Sequence, residues 1–282
     1  MNKSVLLITL GLLGGGCIMT TNASAQTRGL HRISSHWVNQ SVKEYNGLSQ
    51  YYRFNQNTKS GPFKEAKVIL SKGTIVKGSV GNDSASQTHY ALRGPSNLSY
   101  ALKKRVGMKD PWRSLNYWQT YMPSRYTRVK RPPFMPTFGE GVFFSGGTKA
   151  FKNMATRSKS TSNAFRISSD GYVEFYKYRA KSLIDNDYQV FTYNQKPASY
   201  AKINHTLVKG SKTYLYYGYN LKGINDKRAR TSGAYKYRLT IHNLHTPYRY
   251  TTRGGTSYGS MYTIGSHHFY SIPLGYESSG SD

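Results

Sequence analysis

Acids are scarce in this chain, so any acid–base chemistry has few places to reside. Asp and Glu number 12 among 282 residues, and Asp170, Glu174, Asp185 and Asp187 are the ones that cluster. Two carboxylates across a sugar bond can hydrolyse it when one holds a proton and the other attacks or activates water. However, Asp170 precedes Gly171, and Asp185 and Asp187 flank Asn186. Those are turn signatures, because short Asp and Asn side chains bond nearby backbone. Turn formation accounts for the three aspartates, and the sequence assigns no catalytic residue.

His242-x-x-His245 and His267-His268 are the histidines with zinc-like spacing. On a strand a three-residue step sends side chains to opposite faces. No acid follows them until Glu277, so no metal site and no cofactor is expected. The chain has one cysteine, Cys17, and no Gly-x-Ser-x-Gly nucleophile elbow. Gly139 to Gly147 is glycine-rich but lacks the Lys-Ser/Thr ending of a phosphate-binding loop.

Cations are abundant. Lys and Arg number 40, which gives a formal charge of +28. They fall in runs interleaved with Tyr and Phe: Lys103, Lys104 and Arg105; Arg125, Arg128, Lys130 and Arg131; Lys177, Arg179 and Lys181; Lys227, Arg228 and Arg230; Arg249 and Arg253. With so few acids to pair them, these residues are the candidate contacts for an anionic polymer. Cations neutralise its phosphates, and tyrosine faces stack on sugars or bases.

The compartment narrows the partner. Lys3, the apolar run Val5 to Leu13 and the small-residue exit Ala23-Ser24-Ala25 predict a secretory signal peptide over 1–25, cleaved after Ala25. A lipoprotein signal at Cys17 fits less well, because Gly14 stands where a leucine is usual. Removal of the leader leaves a cysteine-free chain with no transmembrane anchor, a usage that suits export from a Gram-positive bacterium. Teichoic acids are abundant polyanions there.

The elements that must position these residues are mostly strands. Leu, Ile, Val and Phe make up only about 18% of the residues after Ala25, a value typical of disordered chains. The 26 Tyr and 3 Trp argue for a folded chain with aromatic-rich cores. Residues 26–122 read as a small α+β module with an irregular lead-in that includes a short helix near Ser41 to Tyr52. Within it, Lys67–Leu70 and Thr74–Val80 predict a hairpin. Helices are predicted from Leu98 to Val106 and from Pro111 to Met122. The prolines and basic residues of 123–139 predict an extended linker. Residues 140–276 predict an antiparallel β-sandwich or partly open barrel, with turns at Ser169-Asp170-Gly171, Asp185-Asn186-Asp187, Lys222-Gly223, Arg253-Gly254-Gly255 and Gly265-Ser266. Residues 277–282 form a polar tail. The fold class is therefore mainly β.

The Ala-Ser-Ala exit, the segment Lys72-Gly73-Thr74-Ile75-Val76, the Pro132-Pro133-Phe134 segment, Ser169 to Tyr176, Tyr237 to Ile241 and Tyr262 to Gly265 resemble uncharacterised secreted cell-surface proteins of lactobacilli. These are very basic, Tyr-rich and cysteine-free, in the style of the wall-binding parts of surface-layer proteins. The resemblance implies non-covalent attachment to the cell wall and transfers no functional residues. The leading expectation is a non-enzymatic protein that binds an anionic wall glycopolymer. The alternatives are an extracellular adhesin or general polyanion and nucleic-acid binder, and a wall hydrolase whose site the sequence does not disclose.

Overall fold

A computed structural model describes residues 29–34, 50–60, 68–83, 86–94, 98–105, 118–120, 123–136, 141–157, 161–178, 196–252, 255–271 and 276–277. The chain is mainly β, with one large antiparallel sheet, a smaller five-stranded sheet and a two-stranded ribbon. The large sheet is open rather than closed into a barrel. Its main path runs Ser199–Lys202, Tyr172–Tyr176, Ala164–Ile167, Val142–Ser145, His267–Ser271, Gly255–Ile264, Tyr237–Thr252, Lys212–Tyr217 and His205–Lys209. The strand His267–Ser271 thus lies in the middle, between Val142–Ser145 and Gly255–Ile264.

Alternation along these strands separates two faces. Phe143, Phe165, Val173, Phe175, Leu215, Leu239, Tyr262 and Phe269 point into the main core. Tyr51 of the small sheet and Met135 join that core, and Ile75, Val129 and Phe134 pack against it. The other face carries Phe144, Ala164, Tyr176, Met261 and Tyr270, which meet Phe151 of the helix Gly147–Arg157. That close approach needs Gly259, because a Cβ there would stand 2.9 Å from the Phe151 ring. A third cluster links Tyr52, Phe54, Leu70, Val76 and Tyr126 to Leu98 and Leu102 beside the helix Tyr100–Arg105.

Several expectations meet the structure directly. The strand Ala164–Ile167 and the turns at Gly171, Gly223 and Gly265 are present. At Gly265-Ser266 both residues take positive φ, 56° and 72°, which matches the twist of a two-residue hairpin connection. The helix expected from Leu98 is Tyr100–Arg105. Most of the second expected helix lies outside the described residues, but its end, Trp118–Thr120, is a strand paired with Ser86–Gly94. The helix Gly147–Arg157 had no forecast. Gln50–Phe54, at the end of the possible helix in the lead-in, is a strand whose Tyr51 and Tyr52 face different cores. The signal-peptide segment and the Asp185 turn lie outside the described residues.

Two further expectations are corrected, besides the two helix ends that are strands. Val68–Leu70 and Ile75–Asp83 are both strands but do not pair as a hairpin. Val68–Leu70 pairs with Thr58–Ser60, and Ile75–Asp83 with Gln50–Phe54 and Ser86–Gly94. The intervening turn is held by strand Gln50–Phe54 instead: Phe54 N–H donates to Thr74 O at 3.0 Å, and Gly73 N–H to Phe54 O at 2.8 Å. The described part of 123–139 is not an extended linker. Tyr126–Val129 is a strand paired with Gln50–Phe54, and Met135, 3% exposed, is buried in the main core. Its prolines lie before and after that strand, where no ladder donor is needed.

Candidate polyanion-binding face

The outer face of the large sheet, opposite the main core, is covered unevenly. At one end sits the helix Tyr100–Arg105, in the middle the helix Gly147–Arg157, and at the other end no helix among the described residues. The two ends have opposite electrostatic organisation.

At the covered end the acids named above are structural. Ser99 caps the short helix, its Oγ accepting from Leu102 N–H at 3.0 Å. Asp170 receives Ser99 N–H at 2.9 Å and Ser99 Oγ–H at 2.5 Å. Glu174 accepts from Tyr100 N–H and from the Tyr176 hydroxyl, the latter at 2.6 Å. Arg166 Nη1 stands 3.8 Å from Glu174, and its Nη2 donates to Leu98 O at 3.0 Å. The carboxylates thus occupy the positive end of the helix and satisfy its first donors. Burial pushes the Asp170 carboxyl up against the pull of Ser99 and Ser168, and burial also raises the Tyr176 phenol. Glu174 is fully buried, so the Asp170–Glu174 pair has no open substrate position between its members.

Lys103 belongs to this node. It is 2% exposed, which corrects its place among the surface contacts. Burial, followed by repulsion from Arg166, lowers its pKa to about 8, with Glu174 and Asp170 opposing.

At the uncovered end, rows of side chains cross the strands. His205, Tyr216, Arg238 and Lys227 form one row; Leu207, Tyr214 and Thr240 the next; Lys209, Lys212, His242, Thr263 and His268 a third. The inward partners Leu215, Tyr217, Leu239 and Ile241 are buried, which fixes the outward direction of these rows. The Arg238 guanidinium lies 5.4 Å from the Tyr214 ring centre, and Arg230 lies 5.5 Å from Tyr235. His205, Tyr216 and Tyr235 stack mutually at 5.5, 5.6 and 6.4 Å. Among the described residues, none of Lys209, Lys212, Lys227 and Arg238 has a carboxylate partner. The nearby Asp226 is held inward, accepting from Tyr217 OH at 2.9 Å, Leu221 N–H at 3.0 Å and Asn220 Nδ2 at 2.6 Å.

The sequence-derived contacts therefore scatter. Lys227, Arg228 and Arg230 are exposed beside the uncovered face, although Arg228 also ties its loop through Arg230 O and Thr231 O. Lys104 and Arg105 are exposed at the end of the short helix, and Lys177 just past strand Tyr172–Tyr176. Arg128, Lys130 and Arg131 are exposed and Arg125 half-buried, along or beside the edge strand of the small sheet. Arg249 is half-buried opposite His31. Arg179, Lys181 and Arg253 lie outside the described residues. The sequence reading missed Lys209, Lys212, Tyr214, Tyr216 and Arg238. Their signal was the period-two pattern Lys212-x-Tyr214-x-Tyr216 against Thr213-x-Leu215-x-Tyr217.

No group of three or more ligand-type side chains forms a metal site among the described residues. His242 lies on the outer face, whereas His245 has crossed to the other side through a bulge between Asn243 and Pro247. Among the described residues, no helix is long and apolar enough to cross a membrane. No family model, no curated protein and no solved structure matches the chain.

Proposed function

We propose that this is an exported, non-enzymatic surface protein that binds an anionic wall glycopolymer of the teichoic-acid type. The observation that carries the reading is the uncovered sheet end, where Lys209, Lys212, Lys227 and Arg238 interleave with Tyr214, Tyr216 and His205. A phosphate-bearing polymer lying across the rows meets cations at the spacing of neighbouring strands, roughly 5 Å, while sugar faces stack on the rings. Counterion release then makes binding fall with salt.

Retention of the purified protein by Gram-positive cell walls, measured across a salt series before and after acid extraction of teichoic acid, tests this. Retention that is lost on extraction and falls with salt is expected. Retention that survives extraction would move the ligand to peptidoglycan. Equal retention by walls, heparin and DNA would replace the dedicated ligand with general polyanion binding.

A further inference from the structure

A cleft of about 330 Å³ opens on the opposite face of the same sheet end, between the loop 131–136 and the hairpin of strands His205–Lys209 and Lys212–Tyr217. Its floor includes Phe143 and Tyr262, Phe134 stands at one wall, and its polar lining includes Arg131, Asn243, His245, Ser211 and Thr213. No carboxylate lines it.

Two features show that the polar side is built rather than incidental, and a third closes the floor. Arg131 Nη1 donates to Met135 O at 3.0 Å, which fixes the loop and the guanidinium together. His245 is brought to the cleft by the bulge and holds φ of 50°, a conformation rare outside glycine, with its N–H donated to Asn243 Oδ1 at 2.9 Å. Tyr262, 2% exposed, turns its buried hydroxyl toward Ser271 and so closes the floor of the cleft.

We propose that the cleft seats one glycosyl unit carrying a single anionic group, either phosphate or carboxylate. Arg131 and His245 face the charge, Asn243 meets ring hydroxyls, and Phe134 contacts the apolar sugar face. A volume near the lower end of ligand sites suits a monosaccharide. The ligand class is shared with the polymer reading, on which the biological source of the sugar rests, but the cleft is a separate site on the other face.

The purified protein, titrated with glucose 6-phosphate, glucuronate and glucose and followed by amide NMR shifts, tests the inference. At least one anionic sugar is expected to bind about tenfold more tightly than glucose, with shifts centred on 131–136, 208–213 and 243–245. The tighter of the two anionic sugars identifies a phosphate-bearing or a uronic-acid source. His245→Asn is expected to weaken that sugar about threefold without lowering the melting temperature, because the imidazole is exposed and Asn accepts the positive φ. Arg131→Gln is expected to abolish the preference over glucose. Equal binding of glucose, no binding at millimolar concentration, or unchanged affinity in His245→Asn would overturn the proposal. Failure of the titration with wall retention intact removes the cleft alone. Loss of wall retention with the titration intact removes the polymer reading and leaves the cleft.

Discussion

The two ends of the outer sheet face use charge in opposite ways. At the covered end, Asp170, Glu174, Arg166 and Lys103 crowd together under a short helix, and their formal charges sum to zero. At the uncovered end, Lys209, Lys212, Lys227 and Arg238 stand with rings and without acids. In a chain of charge +28, placing acids is therefore a choice about which cations remain available. Carboxylates withdrawn into the helix-capping node stabilise the fold, and with Asp226 held inward at the other end the outward cations leave a field that attracts anions.

Breaking the covered end is expected to have the largest effect. Glu174→Ala leaves Arg166 without its ion-pair partner and two donors unsatisfied, at a cost of about 3–5 kcal/mol, read from denaturant unfolding. Removing either partner of a buried pair is far worse than never having built it, so replacing Arg166 and Glu174 together with apolar residues should recover much of the loss. A double-mutant cycle measures that difference.

The next effect is a pH dependence. The folded pKa of Lys103, about 8, lies below its ordinary value of 10.5. Below pH 8 both states hold the proton and the fold carries the burial penalty. Between pH 8 and 10.5 the unfolded chain binds more protons, so stability from this group rises with pH, by roughly 3 kcal/mol over the full window. Unfolding free energies from pH 7 to 10 should climb in the native protein, and Lys103→Met should flatten that climb.

Ser99→Ala removes the cap hydroxyl shared by Leu102 and Asp170, and about 1–2 kcal/mol of stability should go with it. At the uncovered end the expectation reverses. Replacing Lys212 and Arg238 with Gln should change stability by no more than about 0.5 kcal/mol while reducing the salt dependence of polymer binding. A large stability loss there would mean that the cations hold the fold and would erase the contrast between the two ends.

Sequence reading reached the strands well because alternation and turn residues are local. Ala164–Ile167 and the Gly265-Ser266 turn needed only neighbours to be legible. The helix Gly147–Arg157 was not, because its apolar stripe reduces to Ala150, Phe151 and Met154 after a glycine-rich start. The binding face was misread for a geometric reason. Basic runs are contiguous in the chain, but a sheet gathers every second residue from distant strands, so Lys212 and Arg238 share a face although neither belongs to a basic run. Asp170 does sit in its turn, as expected. What no local pattern disclosed is that its carboxylate reaches Ser99, 71 residues away.

The position of His267–Ser271 at the middle of the large sheet sets a timetable for folding. One side of the sheet, from Val142–Ser145 to Ser199–Lys202, and the other, from His205–Lys209 to Gly255–Ile264, are each stitched largely from chain neighbours. The seam between them closes only when this late strand enters. During synthesis from the N-terminus, the two halves must wait as exposed strand edges until residues 267–271 have emerged. Such long-range closure is slow and open to wrong partners. In a chain this basic, mutual repulsion between unfinished molecules is a safeguard for that interval.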